Sequence, residues 1–184
     1  MNAGGDDPRG ADAPGRADDG PATSMVLPPR LTDSARSLRD TARARGIRTV
    51  QLPDFTLPPG LRAQHLHAGP GFADAVADDL GIALLEAPAD WLATLPVEFT
   101  RLLAGCAHTL PTAIVVDIGT TDGDGWAVIE ANAAWASGRY TADPDAALDV
   151  VLRAAAPAAQ LTPRDRPFVR PAARVTSAGR TGLT

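Results

Sequence analysis

The chain predicts an α/β fold: a βαβ unit on a parallel sheet in the first half, then a helix, an antiparallel β-hairpin and a C-terminal helix, with disordered termini. Three observations carry that expectation. A strand, a capped helix and a second strand follow one another in under thirty residues between Ser24 and Leu52, the spacing of a crossover connection. From Ile114 to Asn132 two apolar runs rich in β-branched residues flank a cluster of turn formers, Thr120–Gly125. Asp143-Pro144-Asp145 places a cap, a first-position proline and a first-turn acid ahead of the apolar stripe Leu148, Val151, Leu152 and Ala155.

Each element follows from local chemistry. Residues 1–24 are Gly, Asp, Pro and Ala with little to bury, an acidic tail expected to be disordered. Ser24–Leu27 reads as a strand stopped by Pro28-Pro29. Thr32 or Asp33 caps a helix over Ser34–Arg45, whose arginines leave Ala35, Leu38 and Ala42 for the core, and Gly46 supplies the left-handed stop. Ile47–Leu52 is the next strand and His65–Ala68 a third. Gly69-Pro70-Gly71 lacks both the GxGxxG and the Walker patterns, so it reads mainly as a turn into a helix over Phe72–Leu80. Ile82–Leu85 is a buried strand and Val97–Ala107 a helix, with Cys106 expected as a buried thiol. Residues 157–184, rich in Pro, Arg, Ala and Gly, read as a disordered tail.

Charge and composition exclude several function classes. Net charge is −5, and the body between residues 25 and 156 holds sixteen acids against ten arginines, a poor surface for nucleic acid. All 17 basic residues are arginine; lysine is absent. No apolar run approaches the ~20 residues of a membrane span, the amino terminus does not resemble a signal peptide, and a lone cysteine suits a reducing cytoplasm. His65 and His67 have metal-ligand spacing on one strand face, but without acids alongside, exposure or a core hydrogen bond is the better reading.

Along a strand, side chains alternate faces. Asp117 and Gly119 therefore share one face of the first arm, and Trp126, Val128, Glu130 and Asn132 one face of the return arm. With the turn at Gly123-Asp124, Thr121 pairs with Trp126 and Asp117 falls across from Glu130, with Asn132 diagonal. Directly opposed carboxylates repel unless a cation or proton relieves them. Asp, Glu and an Asn carbonyl are hard oxygen donors suited to Mg²⁺ or Mn²⁺. A wet hairpin face carrying acids for solubility explains the same pattern, and a one-residue slip of the turn separates the pair.

Asp117, then Glu130-Ala131-Asn132 and the small-residue run Ala133-Ala134-Trp135-Ala136-Ser137-Gly138, resembles the metal-binding end of ATP-grasp proteins. The resemblance is strongest over about Leu110 to Ala155. A looser one, from about Val26 to Leu95, is to the domain that precedes the grasp. It implies a Rossmann-like pre-ATP-grasp half at 25–96 and the remnant of the C-terminal lobe at 97–156. It also implies Asp117, Glu130 and Asn132 as ligands of the Mg²⁺ (or Mn²⁺) bridging the ATP phosphates, with Arg139 as a phosphate contact. ATP-grasp chains place an entire lobe, with phosphate-binding lysines, before that hairpin. Here Leu95-Pro96 reaches Leu110-Pro111 in about fifteen residues, so the lobe is missing. The reaction implied is ATP-dependent ligation of a small-molecule carboxylate to an amine, weak or lost in this chain alone unless a protein partner supplies the lobe. A non-catalytic α/β interaction module with a vestigial hairpin is the other reading.

Overall fold

A computed structural model describes residues 23–91, 105, 107–121 and 125–172. Strand β1 (Ser24–Leu27) is buried at every position. That is the environment of a strand covered on both faces, and alternation splits it into two cores. Met25 and Leu27 pack with Leu38, Ala42 and Ile47 and with Leu148 and Val151. Val26 packs with Leu66, Phe72, Val76 and Trp135.

The expected βαβ unit forms. Helix α1 (Asp33–Ala44) is capped by Thr32, whose hydroxyl accepts from the Ala35 amide at 3.1 Å, and it buries Ala35, Leu38 and Ala42. Gly46 takes φ +75°, the left-handed conformation in which a Cβ is costly. Strand β2 (Arg48–Gln51) then pairs parallel with β1, Ser24 against Arg48 through Leu27 against Gln51. Strand β3 (His65–Leu66) pairs parallel with the other edge of β1, giving the order β2-β1-β3. Helix α2 (Pro70–Leu80) ends on Gly81 in the left-handed region.

Strand β4 (Ile82–Leu84) does not join that sheet. It pairs antiparallel with β7 (Ala155–Pro157), which begins directly where helix α3 (Pro144–Ala154) stops. The hairpin of β5 (Val115–Thr120) and β6 (Trp126–Asn132) is a third, two-stranded sheet. Ala113, Ala134, Trp135 and Ala154 share one core with Val26, Phe72 and Leu84, so the two halves of the chain are packed together rather than separately cored.

Residues 157–172, expected to be tail, are ordered. The Phe168 carbonyl accepts from the Glu86 amide at 2.9 Å, the Arg170 amide donates to the Leu84 carbonyl at 2.7 Å, and Val169 bridges Leu85. The buried Asp165 carboxylate holds the turn before this segment. It accepts from the Thr112 amide (2.8 Å), the Thr112 hydroxyl (2.9 Å) and the Thr162 hydroxyl (2.7 Å). Proline and arginine content predicts disorder only when nothing distant supplies partners; here β4 and Thr112 do. Most of the expected helix Val97–Ala107, with Cys106, lies outside the described residues, as do the hairpin tip Gly123-Asp124 and residues 1–22 and 173–184.

Candidate functional site

The hairpin sets Asp117 directly across from Glu130, by a different route from the one expected. Trp126 pairs with Thr120 rather than Thr121, and the register shifts between Asp117 and Ile118, leaving Ile129 as an extra residue on β6. That bulge compensates the altered turn, because one inserted residue restores the pairing beyond it. It also reverses the faces of the outer half of β6. Ala127 stands across from Gly119, on the side of Asp117, while Trp126 and Val128 stand across from Thr120 and Ile118. Trp126 and Val128 therefore do not share the acid face. Gly119 makes room for the bulge: a Cβ there would lie 3.0 Å from Ile129 Cδ1.

Asn132, across from Val115 two residues along, donates its side-chain amide to Asp117 Oδ2 at 3.3 Å. Asp117, Glu130 and Asn132 all line one open cavity of about 590 Å³, together with Glu86, Ala133, Ser137 and Tyr140. No arginine lines it. Among the described residues no group of three or more His, Cys, Asp or Glu is placed to hold a metal. A hard cation here would use two carboxylates and the Asn132 carbonyl, a donor set that fits Mg²⁺ when water or phosphate oxygens complete the shell.

Trp135 fixes the loop that walls this cavity. Its ring is fully buried, its Nε1–H donates to the Leu85 carbonyl at 3.0 Å, and its own carbonyl accepts from the Ala68 amide at 2.9 Å. The loop after the hairpin is thus tied to the ends of both β3 and β4. Arg139, on this loop, donates from Nε to the Ser37 hydroxyl (2.9 Å) and from Nη1 to the Ala142 carbonyl (2.7 Å). Its fork is turned toward α1 rather than toward the acids. It lines a neighbouring, mainly apolar cavity of about 440 Å³ that Asp117 and Tyr140 also line.

Sequence reasoning passed over three residues at this site. Tyr140 adopts φ +47° without being glycine and is 75% exposed where the cavities meet, a local strain of the kind that clusters at ligand clamps. Glu86 faces the acid cavity but is held by Arg170, which also takes both oxygens of Asp74 at 2.7 and 3.0 Å and lies 5.7 Å over the Trp135 ring. An acid at the carboxyl end of a buried strand was the available signal for Glu86; Arg170 gave none, sitting in a stretch of tail-like composition.

The two histidines separate. His65 Nδ1 lies 3.0 Å from the Ala155 carbonyl, which accepts from it. His67 is 5% exposed and its Nδ1 has no partner. Burial drives the His67 pKa down to about 4, the Trp135 carbonyl only partly opposing it.

No helix among the described residues is long and apolar enough to cross a membrane. No curated protein and no solved structure matches the chain. Residues 75–150 match a family model described as an ATP-grasp domain, the second family of its clade. The matched stretch starts inside α2 and runs through the hairpin and the post-hairpin loop into α3. With Asp117 and Glu130-Ala131-Asn132 on adjacent strands inside that match, the chain is an ATP-grasp-related protein.

Proposed function

We propose that the chain binds ATP with Mg²⁺ or Mn²⁺ at the hairpin cavity, in the cytoplasm, and that ligation of a small carboxylate requires phosphate-binding cations from a protein partner. The observation that carries this reading is the placement of Asp117 directly opposite Glu130, with Asn132 beside them on one cavity wall and the family match around all three. In such a site the cation bridges phosphate oxygens and shields their charge. The chain's own residues do the rest. Asp117 and Glu130 supply negative charge to the cation, and Asn132 orients Asp117 through its amide. Trp135 holds the wall Ser137–Tyr140 in place, and the adjoining apolar cavity offers a surface that excludes water from one side of the ligand.

Charge balance limits the activity. An acid-lined cavity with no arginine leaves the phosphates dependent on the metal and on Arg139, which is engaged elsewhere. Loss of one electrostatic partner costs roughly 10²–10³ in rate in comparable sites, so turnover by the isolated chain is expected to be very slow. A second reading, a non-catalytic interaction module, is favoured by the exposure of Ile118 (46%), Trp126 (54%) and Ile129 (58%) on the hairpin. Calorimetric titration with Mg·ATP separates them. The proposal predicts saturable binding that disappears in Asp117→Asn and in Glu130→Gln; no heat at millimolar ligand in the wild-type chain supports the interaction module instead.

A further inference from the structure

The sheet order β2-β1-β3 places a reversal of strand order between β1 and β3. In open α/β sheets, the crevice beyond the carboxyl ends of the strands at such a reversal is where ligands bind. Here that crevice is a cavity of about 310 Å³. Its walls are the β1–α1 loop with Arg30, the first turn of α1 with Ser34, and the β3–α2 loop with His67 and Gly69. The post-hairpin residues Ser137, Gly138 and Tyr140 close it.

Three features give the crevice a chemical preference. Arg30 is its one charged lining residue, and among the described residues no acid pairs with Arg30. Helix α2, eleven residues long, starts at its edge with no side-chain cap and no acid in its first turn. Its amino-terminal N–H groups and dipole are therefore uncompensated. Independently of both, His67, 95% buried, lines the crevice with an Nδ1 that finds no partner in the protein. An unsatisfied buried polar atom is costly unless something outside the chain satisfies it. With a proton on Nδ1, His67 donates a hydrogen bond to an oxyanion.

We propose that this crevice is a binding subsite for a small oxyanion, a carboxylate or phosphate group, held by Arg30, the amino terminus of α2 and His67 Nδ1. It is separate from the acid cavity of the hairpin. Glu86, Asp117 and Glu130 line one and Arg30 and His67 the other, while Ser137, Gly138 and Tyr140 form a wall common to both. A cation-bound ligand and an anion are thereby brought to opposite sides of one short loop.

The test is an NMR titration of the full ¹⁵N-labelled chain with succinate and, separately, with inorganic phosphate, in the absence of metal. Saturable shifts are expected at Gly69, Gly71, Ser34 and the His67 ring. Affinity should fall roughly tenfold or more in Arg30→Ala, the worth of one charge-assisted hydrogen bond. His67→Gln should weaken binding similarly; should that buried variant unfold, the exposed Arg30 variant decides alone. Asp117→Asn should leave the titration unchanged, so failure here and failure of Mg·ATP binding are told apart. Succinate saturating at lower concentration assigns a carboxylate, phosphate the reverse. Absence of saturation with both anions, or equal affinity in Arg30→Ala, overturns the proposal.

Discussion

At the scale of single residues, the opposed pair Asp117 and Glu130 is a functional arrangement that works against stability. Like charges directly across an antiparallel pair are destabilising by roughly 0.2–1 kcal/mol. Glu130→Gln is therefore expected to raise the urea midpoint of the metal-free chain slightly while removing Mg·ATP binding. A site that matters only structurally would show the opposite on both counts. His67 gives a second prediction at this scale. Its folded pKa of about 4 lies below the ordinary 6.5, so between those values the unfolded chain binds more protons and stability falls as pH falls. Between about pH 7.5 and about pH 5 this group should remove about 2 kcal/mol, read by urea unfolding, and His67→Gln should lose most of that slope. His65, whose pKa burial also lowers, leaves a smaller slope of the same sign.

At the scale of elements, the sequence was legible wherever a structure is set by neighbours in the chain. The Thr32 cap, the Gly46 and Gly81 stops, the helix opened by Asp143-Pro144 and the two arms of the hairpin all follow from local residue chemistry. Two features set at long range were not. The β6 bulge depends on Gly119 leaving space for Ile129 across the ladder, which alternation along one strand does not reveal. The ordering of residues 157–172 depends on partners up to 96 residues away, Asp74 for Arg170 among them. Asp165 tests that ordering. Burial raises its pKa, but the Thr112 amide and the Thr162 and Thr112 hydroxyls outweigh this and hold it below the usual carboxylate range. Its stabilisation is thus complete above the ordinary carboxylate pKa and lost as pH falls through the lowered one. Asp165→Ala, which strands these donors, should cost about 1–3 kcal/mol at neutral pH, with backbone exchange rising first in residues 165–170.

At the scale of the molecule, the shared core explains how a two-stranded hairpin becomes a site. Such a hairpin is marginal by itself. Trp135 anchors its exit to β4, and α1 and α3 pack together behind it through Leu38, Leu148 and Val151. The Asp117–Glu130 pair was legible because the motif is contiguous on two neighbouring strands. The setting of Arg139 was not, because its partner Ser37 is 102 residues away on α1. A chain with 17 arginines and no lysine, whose acid cavity no arginine lines, is built to take up a cation more readily than to complete phosphoryl transfer. Trace Mn²⁺ added with ATP to the ¹⁵N-labelled chain probes this most directly. Paramagnetic broadening should concentrate on the Asn132 side-chain amide and on the backbone amides of Asp117 and Glu130, and should vanish in Glu130→Gln. Broadening that instead centres on exposed acids such as Asp143 and Asp145, or that persists in Glu130→Gln, would contradict a metal–nucleotide site at the hairpin.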